Sequence, residues 1–126
     1  MQNNKFSVRK RARSFKYAFE GIKDFIRQEH NAWIHCFALV CVVVAGIVLG
    51  INRMEWVAIA IVSGNVLAAE AINTALEKLA DYVCPEKHPA IKRTKDIAAA
   101  AVMITALVSV IVGLIIFVPK FIELCS

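Results

Sequence analysis

The sequence predicts an all-α integral membrane protein: three transmembrane helices preceded by an amphipathic helix lying in the membrane interface. Three observations carry this expectation. Of the 126 residues 59% are hydrophobic, and the mean hydropathy is +0.61. The apolar residues come in long blocks rather than at amphipathic spacing. Twelve of the fifteen Lys and Arg residues crowd into two places, leaving the blocks themselves almost free of charge. Residues 1–126 read as one domain, without internal repeats or low-complexity segments.

In chain order, residues 5–30 come first. Val8, Ala12, Phe15, Phe19, Ile22 and Ile26 recur at steps of three and four, with Arg9, Arg13, Lys16, Glu20, Asp24 and Arg27 on the other side. That pattern is an interfacial amphipathic helix. If the helix continues, Glu29 falls where the chain turns into the membrane. Residues 33–50 hold no acid or base except His35, and residues 97–118 hold none. Each block meets the roughly 20 residues a spanning helix needs. Residues 56–83 form the longer middle span. Trp33 and Trp56 at span ends read as interfacial belt residues. Between the second and third spans, residues 84–96 read as a short loop containing Pro85 and Pro89. It is too small for a folded nucleotide domain.

Lys5, Arg9, Lys10, Arg11, Arg13, Lys16, Lys23 and Arg27 precede the first span, and Lys87, Lys92, Arg93 and Lys95 lie between the second and third. The positive-inside rule therefore places the N-terminus and residues 84–96 in the cytoplasm, and residues 51–55 outside. The net charge of +5 suits anionic lipid headgroups or a polyphosphate. Nucleic acid is not an expected partner. Cys36, Cys41, Cys84 and Cys125 show neither CxxC pairing nor metal-ligand spacing, so free thiols are expected. The basic N-terminal stretch lacks a nearby apolar block and small-residue cleavage site, so it is not read as a cleaved signal peptide.

The chemistry concentrates in the middle span. Glu70, Asn73, Glu77 and Asp81 stand at i, i+3, i+7 and i+11, within an arc of about 80° at roughly 100° per residue. A charge near the bilayer centre costs at least about 2.5 kcal/mol, so three carboxyl groups on one stripe require a cationic counterpart. Three readings compete. A structural polar seam needs an Asn and one acid, fewer than are present. An ion or proton pathway calls for acids spread through the membrane depth, whereas Glu77 and Asp81 gather with Glu29, Lys95 and Asp96 near one face. An enzyme site at the cytoplasmic interface accounts for the most residues. Phosphoryl transfer needs carboxylates for a divalent metal, cations for phosphate oxygens, and a base near the attacking hydroxyl. Glu29, Glu77 and Asp81 can hold Mg²⁺. Lys95 and the basic N-terminal helix can meet phosphates. Glu70 lies deeper, within reach of a lipid hydroxyl. No P-loop, Gly-rich kinase loop or dinucleotide fingerprint occurs, so nucleotide binding would be built from helix side chains.

The run Glu70-Ala-Ile-Asn73-Thr-Ala-Leu-Glu77-Lys-Leu-Ala-Asp81, then Lys95-Asp96-Ile-Ala-Ala-Ala-Ala-Val102, closely resembles the paired signature E-x-x-N-[ST]-A-x-E-x-x-x-D and A-K-D-x-x-[AS]-[AG]-A-V. This is the signature of the small bacterial membrane lipid kinases, the prokaryotic diacylglycerol kinases and undecaprenol kinases. The likeness runs from Tyr17-Ala-Phe-Glu-Gly21 through the last span, with Thr94 where Ala usually precedes the Lys-Asp pair. It implies a homotrimer in the bacterial inner membrane that uses Mg-ATP to phosphorylate a lipid alcohol. It further implies metal binding by Glu29 and Glu77, nucleotide contacts from Tyr17, Asn73, Glu77, Asp81, Lys95 and Asp96, and Glu70 as general base. Glu29-His-Asn31 with His35, and the run from Gly113 to Pro119-Lys120, look more like the undecaprenol kinases, which makes undecaprenol the expected acceptor and diacylglycerol the alternative. Tyr17 is also suited to anchoring at the interface, and His35 to hydrogen-bonding a neighbour. His88, Lys92 and Arg93 are expected to be solvated loop residues able to attract ATP.

Overall fold

Capping side chains set the helix boundaries more sharply than hydropathy does. A computed structural model describes residues 7–126, so Lys5 and the rest of the expected amphipathic helix before Ser7 lie outside the described residues. The chain is all-α, with α1 (Val8–Gln28), α2 (His30–Leu49), α3 (Arg53–Val83) and α4 (Pro89–Cys125). Ser7 Oγ accepts from the Lys10 amide at the start of α1. Asn52 and Glu55 form a reciprocal capping box at the start of α3, at 2.9 and 3.0 Å.

Helices α2, α3 and α4 are each long and apolar enough to cross a membrane. The chain is a multi-pass membrane protein. At 1.5 Å per residue α3 and α4 are about 45 and 55 Å long, well beyond the roughly 30 Å hydrocarbon layer, so their ends project from it.

Two boundaries that bear on the site differ from the sequence expectation. Residues 89–96 belong to α4 rather than to a loop. His88 Nδ1 accepts from the Ala90 amide at 3.1 Å, and Pro89 occupies the first helical turn, where its missing N–H costs nothing. Lys92, Arg93, Lys95 and Asp96 are therefore helical. At the other boundary α1 stops at Gln28, and Glu29 alone is extended (φ −109°, ψ 117°) between two helices. The Trp33 indole N–H donates back to the Ile26 carbonyl and clasps this corner.

The most extensive pairing is α3 against α4, where the single Ser109 hydroxyl hydrogen is shared between the Thr105 carbonyl of its own helix at 2.9 Å and the Val62 carbonyl across the interface at 3.3 Å. Ile51, Ile59 and Ile116 form a small core with Trp56, Val112 and Phe117. Trp56 is thus a packing residue as well as a candidate belt residue. Helix α2 reaches α3 at Gly46, where an added Cβ would sit 2.7 Å from the Trp56 ring. Gly50 ends α2 in the left-handed region (φ 67°), which glycine adopts without penalty. Helix α1 buries no residue, and Val8, Phe15, Phe19, Ile22 and Ile26 lie exposed along it, as expected of a helix whose apolar face meets lipid.

Candidate functional site

The stripe on α3 runs from the interior outward. Glu70 is only 4% exposed and Thr74 only 7%. Asn73 and Glu77 are half-buried, and Asp81 is exposed. A helix packed against α4 on one side and α2 on the other turns this single sequence pattern into a gradient of burial, from the bundle interior to the projecting end of α3.

At the buried end, His35 Nε2 on α2 lies 3.0 Å from Glu70 Oε1. A buried charge without a partner is costly, and the imidazole supplies one. Below it, the Asn73 Oδ1 atom is buried and makes no hydrogen bond to the described residues. Leaving a buried acceptor unpaired costs about 1–3 kcal/mol.

At the exposed end, Lys95 Nζ donates to Asp81 Oδ1 at 2.5 Å, tying α4 to α3. This hydrogen bond, helped by the charges of Asp81 and Glu77, holds the Lys95 ammonium above the usual lysine range. Lys92 is raised likewise by its 2.7 Å hydrogen bond to Asp96 one turn away. Asp81, Lys95 and Asp96 line one cleft of about 700 Å³, closed by the α3–α4 connection with Glu86, Lys87, His88 and Lys92 on its wall. Its volume falls within the roughly 300–1,000 Å³ of small-molecule sites.

Glu29 is half-buried at the α1–α2 corner. The preceding Gln28 accepts from Lys78 Nζ at 2.5 Å, and Lys78 follows Glu77 on α3. Sequence neighbours of the two metal candidates are thus in contact. Among the described residues, no three His, Cys, Asp or Glu side chains converge as a metal cluster. Tyr17 is 62% exposed on α1 and lines neither described cleft.

A second cavity of about 120 Å³ opens among α2, α3 and α4, with His35 at its wall and Leu39, Val66, Leu67 and Phe117 among its apolar lining. Sequence reasoning placed Glu70, Asn73, Glu77 and Asp81 on one stripe and named Lys95 and Asp96, but did not pair Lys95 with Asp81. It left open which neighbour His35 would bond and did not find the Lys78–Gln28 contact, because neither partner is marked by spacing along a single helix.

Residues 16–117 match a family model described as prokaryotic diacylglycerol kinase. An undecaprenol kinase of Bacillus subtilis is 37% identical over 108 residues, covering 86% of this chain and 88% of that protein. A diacylglycerol kinase of Synechocystis is 34% identical over 112 residues, covering 88% of this chain and 64% of its own length. A diacylglycerol kinase of Helicobacter pylori is 32% identical over 107 residues, covering 79% and 83%.

Proposed function

The chain belongs to the prokaryotic diacylglycerol kinase family and is a lipid kinase, and from that premise we propose that it phosphorylates undecaprenol, with Mg-ATP as phosphoryl donor. The observation carrying this reading is the burial gradient of the α3 stripe, which joins the buried Glu70 to a polar cleft edged by Asp81, Lys95 and Asp96. A membrane alcohol approaches from the apolar side and a water-soluble nucleotide from the polar side. Glu77 and Glu29 would hold Mg²⁺, which screens the phosphate charge. Lys95 neutralises phosphate oxygens, with Asp81 aiming its ammonium. Asn73, Asp96 and Tyr17 complete the nucleotide contacts. Glu70 takes the proton from the lipid hydroxyl as its oxygen bonds to the γ-phosphorus and the bond to the β-phosphate oxygen breaks, releasing ADP.

Undecaprenol is favoured over diacylglycerol by the undecaprenol kinase relative and by the lining near Glu70. The cavity beside His35 is almost wholly apolar, with Ser63 and Ser109 as its hydroxyls. This suits an isoprenoid alcohol better than a lipid with two ester carbonyls. Diacylglycerol is the second reading, supported by the names of the Synechocystis and Helicobacter relatives. The site works as a homotrimer in the bacterial inner membrane, with the N-terminus and the α3–α4 cleft in the cytoplasm where ATP is present. The test is Glu70→Gln. Phosphoryl transfer to lipid should be lost while Mg-ATP binding, measured calorimetrically in micelles, persists. Parallel loss of nucleotide binding would move Glu70 among the ATP ligands.

A further inference from the structure

The structure points to a role for one residue that the phosphoryl-transfer reading does not use. We propose that His35 is the positioning residue for Glu70: its Nε2–H donates to Glu70 Oε1 and turns Oε2 toward the acceptor hydroxyl. The inference rests on the reading of Glu70 as the base.

Three features carry it. The contact is 3.0 Å and joins two different helices, so it is a tertiary contact rather than a by-product of helical spacing. Glu70 is 4% exposed, and no other hydrogen bond to its carboxylate is found among the described residues. An ionised carboxylate only accepts hydrogen bonds, so the facing nitrogen carries the hydrogen, whether the imidazole is neutral or protonated. Finally, a proton arriving from a lipid hydroxyl can bind Oε2 while the bond at Oε1 persists, so His35 can hold the carboxylate throughout the transfer. In an apolar interior, a carboxylate without this tether would sample rotamers that face away from the acceptor, and misplacement by about 1 Å can cost a reacting group on the order of 100-fold in rate.

The small cavity against the imidazole gives the test a second arm. His35 lines a space of about 120 Å³ that is walled by Ala38, Leu39, Val66 and Leu67. Deleting the imidazole enlarges that space, leaving room for free imidazole to enter.

Kinetics of the full chain in mixed micelles, with Mg-ATP and a polyprenol, separate positioning from packing. In His35→Leu, which fills the volume without a donor, kcat should fall about 100-fold with KM for Mg-ATP unchanged. His35→Gln places an amide N–H near the Nε2 position and should recover most of kcat. In His35→Ala, added imidazole should raise kcat. Wild-type kcat in a folded His35→Leu overturns the proposal, as does a folded His35→Gln as impaired as His35→Leu. If Glu70→Gln is inactive while His35→Leu keeps wild-type kcat, the positioning role alone falls. If Glu70→Gln retains activity, the base assignment falls as well.

Discussion

Lys78 Nζ donates to Gln28 Oε1 at 2.5 Å, so one contact between α3 and the end of α1 brings the residue before Glu29 to the residue after Glu77. The corner at Glu29 is therefore held by two ties, this one and the Trp33 indole to the Ile26 carbonyl. The Lys78–Gln28 contact ties the end of α1, next to Glu29, to the helix that carries Glu77.

Exchanging either carboxylate for its amide keeps the shape and removes the charge. Glu29→Gln and Glu77→Gln should each lower lipid phosphorylation by several orders of magnitude while melting temperature in micelles stays within a few degrees. Chelation of Mg²⁺ should abolish wild-type turnover, and its restoration should recover it. Near-normal turnover in Glu77→Gln would remove the metal assignment.

The pair that joins α4 to α3 has a pH signature. The Asp81 hydrogen bond raises the Lys95 ammonium above its ordinary value of 10.5. A group raised on folding contributes stability that is fully present below the ordinary value and is lost as pH rises through the higher folded value. The tie should thus be intact at neutral pH and fail only in strong alkali. Asp81→Asn removes the main cause of the shift, so the alkaline fall in melting temperature should begin at lower pH than in the wild type. Superimposable alkaline limbs would show that Asp81 does not hold Lys95 in solution.

Packing of α2 on α3 depends on a missing side chain. A Cβ at Gly46 would stand 2.7 Å from the Trp56 ring and 3.0 Å from Ile51 Cδ1, and overpacking of this kind costs about 1–3 kcal/mol. Gly46→Ala should lower thermal stability in micelles. Adding Trp56→Phe should restore part of it. An unchanged melting temperature in Gly46→Ala would mean that the two helices do not approach so closely.

These residues show where the sequence was informative and where it was not. The three spans were legible because lipid demands uninterrupted apolar blocks, and the α3 stripe because carboxylates are so costly there. The start of α4 was not, since residues 89–96 are polar and their helicity comes from the His88 cap and Pro89 rather than from hydropathy. The break at Glu29 was only half legible: the turn into the membrane was expected, its single-residue width was not. Gly46 with Trp56 and His35 with Glu70 are pairs across helices, and no periodicity within one helix encodes which residues meet across two.

Orientation can be tested on the same helices. Asn52 and His88 both cap helices, so exposed neighbours make safer probes. In a background lacking Cys36, Cys41, Cys84 and Cys125, Arg53→Cys should react with a membrane-impermeant thiol reagent on intact cells, and Lys87→Cys only after lysis. The reverse pattern would place the polar cleft on the face away from cytoplasmic ATP.

The central claim, a kinase that transfers the γ-phosphoryl group of cytoplasmic ATP to a polyprenol hydroxyl at Glu70, is tested most directly by one comparison. Purified protein is assayed with Mg-ATP against undecaprenol and diacylglycerol in the same mixed micelles, and kcat/KM is measured for each. The account predicts phosphorylation of undecaprenol with the higher kcat/KM, abolished by Glu70→Gln. A clear preference for diacylglycerol would contradict the acceptor, and no phosphorylated lipid from either would contradict the account of the site.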